Sequence, residues 1–132
     1  MRKIKFRIWD KRNKKMIYKT NTNKIYMSLD GKLYNGLNGQ DFSDDFILMQ
    51  YTGLKDKNGK EIYEGDIIKS KYFGDFIVKN GIVRIMDNEA YQDNLVSGFY
   101  LQQVSSKELW HLDFLKKCEV IGNIYENPEL LK

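Results

Sequence analysis

Few side chains in this sequence could serve as nucleophile or base in catalysis. The chain contains one histidine, His111, and one cysteine, Cys118, so a nucleophilic mechanism with an imidazole base would have to use His111. Nothing else in the sequence supports a catalytic pair of His111 and Cys118. We interpret His111 as a residue on the surface or at the boundary of a helix, and Cys118, which shortly precedes the apolar Val120 and Ile121, as a small core residue.

Carboxylates form two local clusters that could hold Mg²⁺ and support hydrolysis. They are Asp41, Asp44 and Asp45, followed by Glu61, Glu64 and Asp66. Neither cluster has the spacing of a metal-binding motif. The glycine-containing segment 36–40 is not followed by Lys-Ser or Lys-Thr, which a phosphate-binding loop requires. We therefore predict no catalytic residue, no metal site and no cofactor, with a small metal-dependent hydrolase as an alternative.

Positive charge is concentrated at the N-terminus. Residues 1–24 hold ten Lys or Arg against one acid, a net charge of +9, whereas residues 25–132 hold twelve against seventeen, a net charge of −5. Residues 3–9 alternate strictly, which predicts a strand with Ile4, Phe6 and Ile8 on its inner face. A basic outer face and an adjoining basic turn would follow.

This basic region is the strongest candidate binding site in the sequence. Its members are Lys3, Lys5, Arg7 and Trp9 on the strand, with Lys11, Arg12, Lys14 and Lys15 in the turn. The cations could hold a phosphate backbone while Trp9 stacks on an unpaired base. Alternatively, the lysines protect an edge strand from aggregation and dock against the acidic remainder, which is the commoner role. Both interpretations stay open.

The elements that must position these residues are mostly strands. Asp10–Lys15 is a polar turn from which residues 16–18 return as a hairpin, and Asp30-Gly31 predicts a second hairpin. A buried strand follows at residues 46–51. Further short strands predict a meander that closes into a small barrel.

The second half of the chain is predicted to contain three strands, one short helix and a helical turn at the C-terminus. Strand candidates 76–78, 81–86 and 99–104 are separated by a turn at Lys79–Gly81 and by a polar stretch at 87–97. Ser105 and Glu108 resemble a capping box, and leucines follow at helical spacing, which predicts one short helix near 106–116. Asn127-Pro128 predicts a helical turn at the C-terminus.

Composition limits the cellular setting. The longest apolar run is far shorter than a bilayer span requires, and the alternating N-terminus lacks the apolar stretch of a signal peptide. With a single cysteine, these features predict a cytoplasmic protein without membrane contact. Aromatic residues make up 14% of the chain, including nine Tyr, more than a small β core absorbs, which predicts a homo-oligomer.

Four blocks together resemble a known family. They are Phe6–Asp10, Met49–Gly59, Ile62–Ile68 and Val120–Leu131, in this order. The chain is similar to the YopX family of phage and prophage proteins over nearly its whole length. The resemblance implies a β-rich fold that holds an SH3-like barrel, and a phage or prophage origin in a bacterial host. It implies no established activity and carries over no catalytic residue.

These observations predict a mainly β protein, with N-terminal β-hairpins over residues 1–50 and an SH3-like barrel over 51–132, or one continuous domain. The predicted function is binding without catalysis. The partner would be nucleic acid, held through the basic N-terminal region, or a host or phage protein. A protein-binding inhibitor of a host system is the first alternative, and the hydrolase is the second.

Overall fold

The computed structural model describes residues 3–19, 25–87, 92–112 and 115–132 of the chain. Strands make up 52% of the structure and helical residues 5%, which confirms the mainly β class. In chain order the strands are β1 (Phe6–Asp10), β2 (Lys15–Ile17), β3 (Ile25–Met27), β4 (Leu33–Asn35), β5 (Phe46–Lys55), β6 (Glu61–Tyr63), β7 (Asp66–Lys69), β8 (Asp75–Asp87), β9 (Gln92–Gln103), β10 (Leu109–Trp110) and β11 (Glu119–Asn123). Among the described residues, no helix is long and apolar enough to cross a bilayer.

One compact unit comprises Ile4–Gln50. Its central strand is β1, which pairs antiparallel with β2 on one side and with the first half of β5 on the other. β3 and β4 form a separate hairpin in which the rings of Tyr26 and Tyr34 stack with centroids 5.4 Å apart. Its turn uses Gly31 at φ 84°, a conformation that glycine adopts without steric cost. Both hairpins predicted for this region are confirmed.

The second unit comprises Tyr51–Lys132 together with Lys3. Its main sheet has the order β10-β9-β8-β7-β11 and is curled into a half-barrel. β6 pairs with the second half of β5 in the register Tyr51 to Tyr63. Neighbouring strands within this sheet are antiparallel, so short turns join most of them.

The core of this second unit lies on one face of the curled sheet. Its fully buried members include Ile62, Ile68, Phe76, Val78, Leu101, Leu115 and Cys118. Phe76 also makes an edge contact with the half-buried Trp110, at 5.1 Å between ring centroids. Because each large apolar side chain contributes about 1.5–3 kcal/mol when buried, this cluster is the main source of stability in the unit. Cys118 is therefore a core residue, as its neighbours in the sequence predict.

The helix predicted near 106–116 is wrong. Gln103 N donates to Glu108 O at 2.8 Å and Lys107 N donates to Gln103 O at 2.9 Å, which closes a tight turn between β9 and β10. Lys107 occupies the left-handed region at φ 66°. Leu109 is therefore a strand residue, Leu115 begins a 3-10 turn, and residues 113–114 of the predicted helix lie outside the described part of the chain. The leucine spacing fits a helix only by coincidence, because Leu109 lies in β10, Leu112 in the segment that follows it and Leu115 in the 3-10 turn.

The predicted break at Lys79–Gly81 is also wrong, because β8 runs without interruption through it. Gly81 lies opposite Gly98, and the ladder between β8 and β9 is continuous on both sides of this pair. Much of the predicted polar stretch 87–97 belongs to β9, while residues 88–91 lie outside the described residues. Turn propensity at Asn80-Gly81 is overridden by the long antiparallel pairing.

The C-terminal helical turn is confirmed as a 3-10 turn over Pro128–Leu131. The Asn127 side chain does not cap it. Its Oδ1 instead accepts a hydrogen bond of 3.2 Å from Asn123 N, which ties the turn back to the end of β11. A Cβ atom at Gly122 would lie 2.5 Å from this same Oδ1, so only glycine fits at that position.

Candidate binding surfaces

The predicted outer face of β1 is not exposed. Arg7 is 2% exposed and Trp9 is 9% exposed, whereas Ile4, predicted to point inward, is 63% exposed. β1 lies between two other strands and both of its faces are covered, since Ile8 is buried as well. Alternation of charged and apolar residues therefore does not mark a solvent-facing side here.

The contacts of Arg7 and Trp9 are therefore with other residues of the protein. Arg7 Nη1 donates a hydrogen bond of 3.4 Å to the hydroxyl of Tyr18. Trp9 is paired in register with Met16 of β2 and Ile47 of β5. Both side chains are buried, so neither offers a surface to a phosphate or a base. Lys5 is half-buried and Lys3 is exposed.

The remaining candidates lie in the basic turn, defined here as Lys11–Lys15, which is organised by a buried carboxylate. Asp10 accepts hydrogen bonds from Arg12 N at 3.0 Å, from Asn13 N at 3.1 Å and from Asn13 Nδ2 at 2.8 Å. Burial raises the pKa of Asp10, but these hydrogen bonds outweigh it, and the pKa is lowered overall. Lys14 completes the turn in the left-handed region at φ 52°.

Part of the charge of the basic turn is already engaged. Lys11 Nζ donates to Asp44 O at 3.0 Å, and Lys11 N donates to Asp45 O at 3.1 Å. Arg12 Nε lies 3.9 Å from the Asp45 carboxylate, in an exposed ion pair that contributes little to stability. Lys14 and Lys15 are exposed. The structure thus brings together Lys11, Arg12, Lys14 and Lys15 in one turn, but it buries Trp9, the residue predicted to stack on a base.

The carboxylate clusters are built into turns. Asp66 is buried and accepts a hydrogen bond of 2.8 Å from Tyr63 N, and Asp41 accepts one of 2.7 Å from Ser43 N. Hydrogen bonds from the side chain and backbone of Ser43 lower the pKa of Asp41. Over the described ranges, no group of three His, Cys, Asp or Glu side chains is placed to hold a metal ion. Burial raises the pKa of the Cys118 thiol, which disfavours the nucleophilic thiolate.

A surface that the sequence analysis missed lies on the long hairpin of β8 and β9. β7 pairs with β8 only at Asp75–Ile77, and β10 pairs with β9 only at Leu101 and Gln102. Beyond these points, residues 79–87 and 92–100 pair with each other and with no further described strand. We call this two-stranded extension the ribbon.

One face of the ribbon presents apolar side chains to solvent. The register places Ile82 opposite Ser97 and Arg84 opposite Leu95, so these four side chains share a face. Ile82 is 73% exposed and Leu95 is 65% exposed, while Ile85 on the other face is 3% exposed. We call the exposed side, formed by Ile82, Arg84, Leu95 and Ser97, the open face.

The open face continues the core side of the sheet. Residues that alternate along β8 place Phe76 and Val78 on the same face as Ile82, and both of them are fully buried. The face of β8 that is buried at Phe76 and Val78 is therefore exposed to solvent further along the strand, at Ile82. Apolar residues on both faces of Ile82–Ile85 are the signal that could have predicted this, because such a run indicates a strand covered on both sides.

A smaller aromatic surface lies in the loop between β7 and β8. Tyr72 is 77% exposed and Phe73 is 51% exposed. The ring of Phe73 packs against Trp110 with centroids 5.2 Å apart, and Lys71 Nζ lies 5.3 Å from the centroid of the Tyr72 ring. Exposed aromatic side chains with a polar end are typical of protein interfaces.

Comparison with known proteins identifies relatives but no activity. The family model described as YopX protein matches residues 5–132. A solved structure, protein EF1440 from Enterococcus faecalis, is 28% identical, with a TM-score of 0.53 and coverage of 100% of both chains. No curated protein matches the sequence.

Proposed function

Because this chain belongs to the YopX family, a phage-related family, we propose that it acts as a non-catalytic protein-binding protein. The observation that carries the proposal is the open face of the ribbon. Ile82 and Leu95 are large apolar residues, diagonal neighbours on one face of a strand pair, and both are mostly exposed. Burying them against a partner would contribute about 1.5–3 kcal/mol for each side chain.

Nucleic-acid binding is the second candidate, and the exposed cations of the basic turn favour it. Lys11, Arg12, Lys14 and Lys15 are all exposed and close in sequence. Without Trp9 on the surface, such binding would rest on charge alone, so it would be weak, independent of sequence and steeply dependent on salt. The neighbouring Asp45 carboxylate reduces the local potential further.

The test compares two matched double variants in affinity capture from lysate of a bacterial host, with and without nuclease treatment. Ile82→Thr with Leu95→Thr removes apolar surface from the ribbon and keeps β-compatible side chains. Lys14→Glu with Lys15→Glu reverses charge on the basic turn. We expect a stoichiometric protein partner that the wild-type chain and the basic-turn variant retain and the ribbon variant loses.

Other results of this capture would point elsewhere. Retention that disappears after nuclease treatment and with the basic-turn variant would support nucleic acid instead. Equal capture by all three proteins would contradict a role for the ribbon. Circular dichroism of both variants controls for folding, since all four replaced residues are exposed.

A further inference from the structure

We propose that Asn58 is a site of spontaneous covalent modification, at which the folded chain loses the side-chain amide and is converted in part to isoaspartate. This modification is independent of the proposed protein binding, because it occurs in the turn at Asp56–Gly59 rather than on the ribbon. Three features lead to it: the dipeptide to which Asn58 belongs, the freedom of its side chain, and the hydrogen bonds that the turn makes.

The chemistry favours an asparagine that is followed by glycine. The backbone nitrogen of the glycine attacks the asparagine Cγ, and the new C–N bond closes a cyclic imide. The side-chain nitrogen leaves as ammonia and takes up the proton of the attacking N–H. Water then opens the imide at either carbonyl carbon, which gives aspartate or isoaspartate, in which the main chain runs through the side-chain carbons. Glycine permits this attack best because it has no side chain to obstruct ring closure.

The sequence contains this dipeptide four times, so the structure determines which copy reacts. The copies are Asn35-Gly36, Asn38-Gly39, Asn58-Gly59 and Asn80-Gly81. Ring closure requires rotation about the Cα–C bond of the asparagine and rotation of its side chain. Where hydrogen bonds hold the side chain or the backbone, the reaction must wait until those bonds open.

Hydrogen bonds hold the first two asparagine side chains. Asn35 Oδ1 accepts one of 2.8 Å from Leu37 N and one of 3.4 Å from Asn38 N. Asn38 Oδ1 in turn accepts one of 2.9 Å from Gln40 N. These bonds fix both side chains against their own turn, so they must break before either Cγ can meet the nitrogen of the following glycine.

The backbone holds the fourth site. Asn80 lies opposite Phe99 and Gly81 lies opposite Gly98, in a ladder between β8 and β9 that continues on both sides of them. Rotation about the Cα–C bond of Asn80 would break this ladder. Paired strands open more rarely than exposed turns, so this site should be the slowest to react.

Asn58 lacks both restraints. It is exposed, and its side chain makes no hydrogen bond with any residue that the structure describes. Gly59 N donates to Asp56 O at 3.0 Å, much as Gly39 N donates to Asn35 O at 2.9 Å, so the glycine N–H does not distinguish these two turns. A Cβ atom built at Gly59 would meet no atom within 4 Å beyond its chain neighbours, which leaves open space beside the reacting bond.

Modification at Asn58 would weaken the link between this turn and β11. Asp56 Oδ1 accepts hydrogen bonds of 2.8 Å from Asn58 N and 2.9 Å from Lys60 N, which lie on either side of the reacting bond. Its Oδ2 accepts one of 2.9 Å from Val120 N. Isoaspartate adds one carbon to the main chain between the first two donors, so one carboxylate no longer fits all three. The isoaspartate form should therefore be less stable.

The test follows each site by mass spectrometry in the purified full-length chain. The protein is incubated in mildly alkaline buffer below its melting temperature, and aliquots are digested with chymotrypsin, which cuts after Leu37 and so separates Asn35 from Asn38. An aliquot taken at the start corrects for modification during digestion. The same chain incubated in guanidinium chloride gives the four rates in the absence of structure.

We expect Asn58 to react fastest in the folded chain and Asn80 slowest, by about tenfold or more, with Asn35 and Asn38 between them. In guanidinium chloride the four rates should converge, because all four asparagines precede glycine. The isoaspartate form, purified by chromatography, should melt about 4 °C or more below the unmodified chain, which is the shift expected for the loss of a buried hydrogen bond.

Two variants identify the cause of the lost stability. Asn58→Gln keeps an amide but would have to close a larger ring, so it should stay unmodified and keep its melting temperature during incubation. Asn58→Asp carries the new negative charge without the additional main-chain carbon. Because position 58 is exposed, this variant should melt close to the wild-type protein.

Four results would overturn the proposal. In the first, Asn58 reacts no faster than Asn80 in the folded chain. In the second, the relative rates of the four sites are the same with and without guanidinium chloride. In the third, the isoaspartate form melts with the unmodified chain. In the fourth, Asn58→Asp melts as low as the isoaspartate form, which would assign the lost stability to charge.

Discussion

Buried carboxylates organise the turns of this chain, whereas the exposed charges determine little of its fold. Asp10 and Asp56 each accept backbone N–H groups from the residues that follow them, and Asp66 accepts that of Tyr63. Asp56 does more, because its second oxygen accepts a hydrogen bond of 2.9 Å from Val120 N, which is 64 residues further along the chain. This one side chain fixes a turn and joins it to β11.

Replacing Asp56 should therefore be costly. In Asp56→Ala the N–H groups of Asn58, Lys60 and Val120 lose their acceptor, so the free energy of unfolding should fall by about 3 kcal/mol. Urea denaturation of the wild-type and variant proteins near pH 7 measures this difference. A loss below about 1 kcal/mol would mean that water or another group replaces the carboxylate.

Asp56 should also make the free energy of unfolding depend on pH in the acidic range. Burial raises the pKa of Asp56, but the backbone hydrogen bonds from Val120, Lys60 and Asn58 outweigh it and lower the pKa overall. The stabilisation is thus fully present above the unfolded pKa of about 3.9 and is lost as the pH falls through the lower folded pKa. Wild type should lose stability over this window more steeply than Asp56→Asn. Parallel profiles from about pH 6 to about pH 2 would contradict this.

Gly122 and Gly81 form a matched pair for a steric prediction. Gly122→Ala would place a Cβ against Asn127 and disturb its hydrogen bond with Asn123 N, at a cost of about 1–3 kcal/mol. Gly81→Ala, whose Cβ would meet only a ring carbon of Tyr100 at 3.9 Å, should change stability by less than about 1 kcal/mol. Thermal unfolding of the two variants checks the contrast, and equal melting temperatures would refute it.

Trp9 is a core residue rather than a stacking platform, and its truncation should show this. Trp9→Ala should lower the free energy of unfolding by about 3–5 kcal/mol because the side chain is almost completely buried. It should not selectively weaken binding to single-stranded nucleic acid. Denaturation curves and anisotropy titrations with single-stranded and duplex DNA measure both effects. A stable variant that loses only single-strand binding would restore the stacking hypothesis.

At the level of elements, local signals predict this fold where the turn chemistry is unambiguous. Asp30-Gly31 and Asn127-Pro128 mark a hairpin and a 3-10 turn that the structure confirms. Prediction from sequence fails where pairing between distant residues determines the secondary structure. Asn80-Gly81 is an example, because this turn signal lies inside a continuous strand. Prediction also fails for β1, because no local pattern reveals that the side chains on both of its faces are buried.

A substitution at Lys107 can test whether this segment forms the turn between β9 and β10 or the helix predicted from the sequence. Lys107 occupies a left-handed conformation that costs about 1 kcal/mol for a residue with a Cβ. Lys107→Gly should therefore raise the free energy of unfolding by about 0.5–1 kcal/mol. In a helix the same change would lower it by about 1 kcal/mol. The sign of the change in urea denaturation distinguishes the two structures.

The candidate site shows the same division between local and long-range information. Sequence identified the basic turn correctly as a run of exposed cations, because charge in a polar turn is a local property. The apolar run Ile82–Ile85 signals a strand with two apolar faces, but only the register of β8 and β9 shows that Ile82 and Leu95 lie on the same open face. A surface formed by pairing between distant residues requires that pairing to be known.

Across the molecule, we assign binding to the ribbon and structural roles to the blocks that resemble the family. The turn at Asp56–Gly59 and the segment Gly122–Pro128 are explained by hydrogen bonds and close packing. The ribbon is unlike them, because the exposure of Ile82 and Leu95 contributes nothing to the stability of the isolated chain. Protein binding through this surface is the central claim.

Amide hydrogen exchange on the purified complex with the captured protein tests this claim most directly. Peptides covering residues 79–87 and 92–100 should exchange more slowly in the complex than in the free chain, by about tenfold or more, while those covering Lys11–Lys15 should be unchanged. Protection confined to the basic turn, with the ribbon exchanging as in the free chain, would contradict the account.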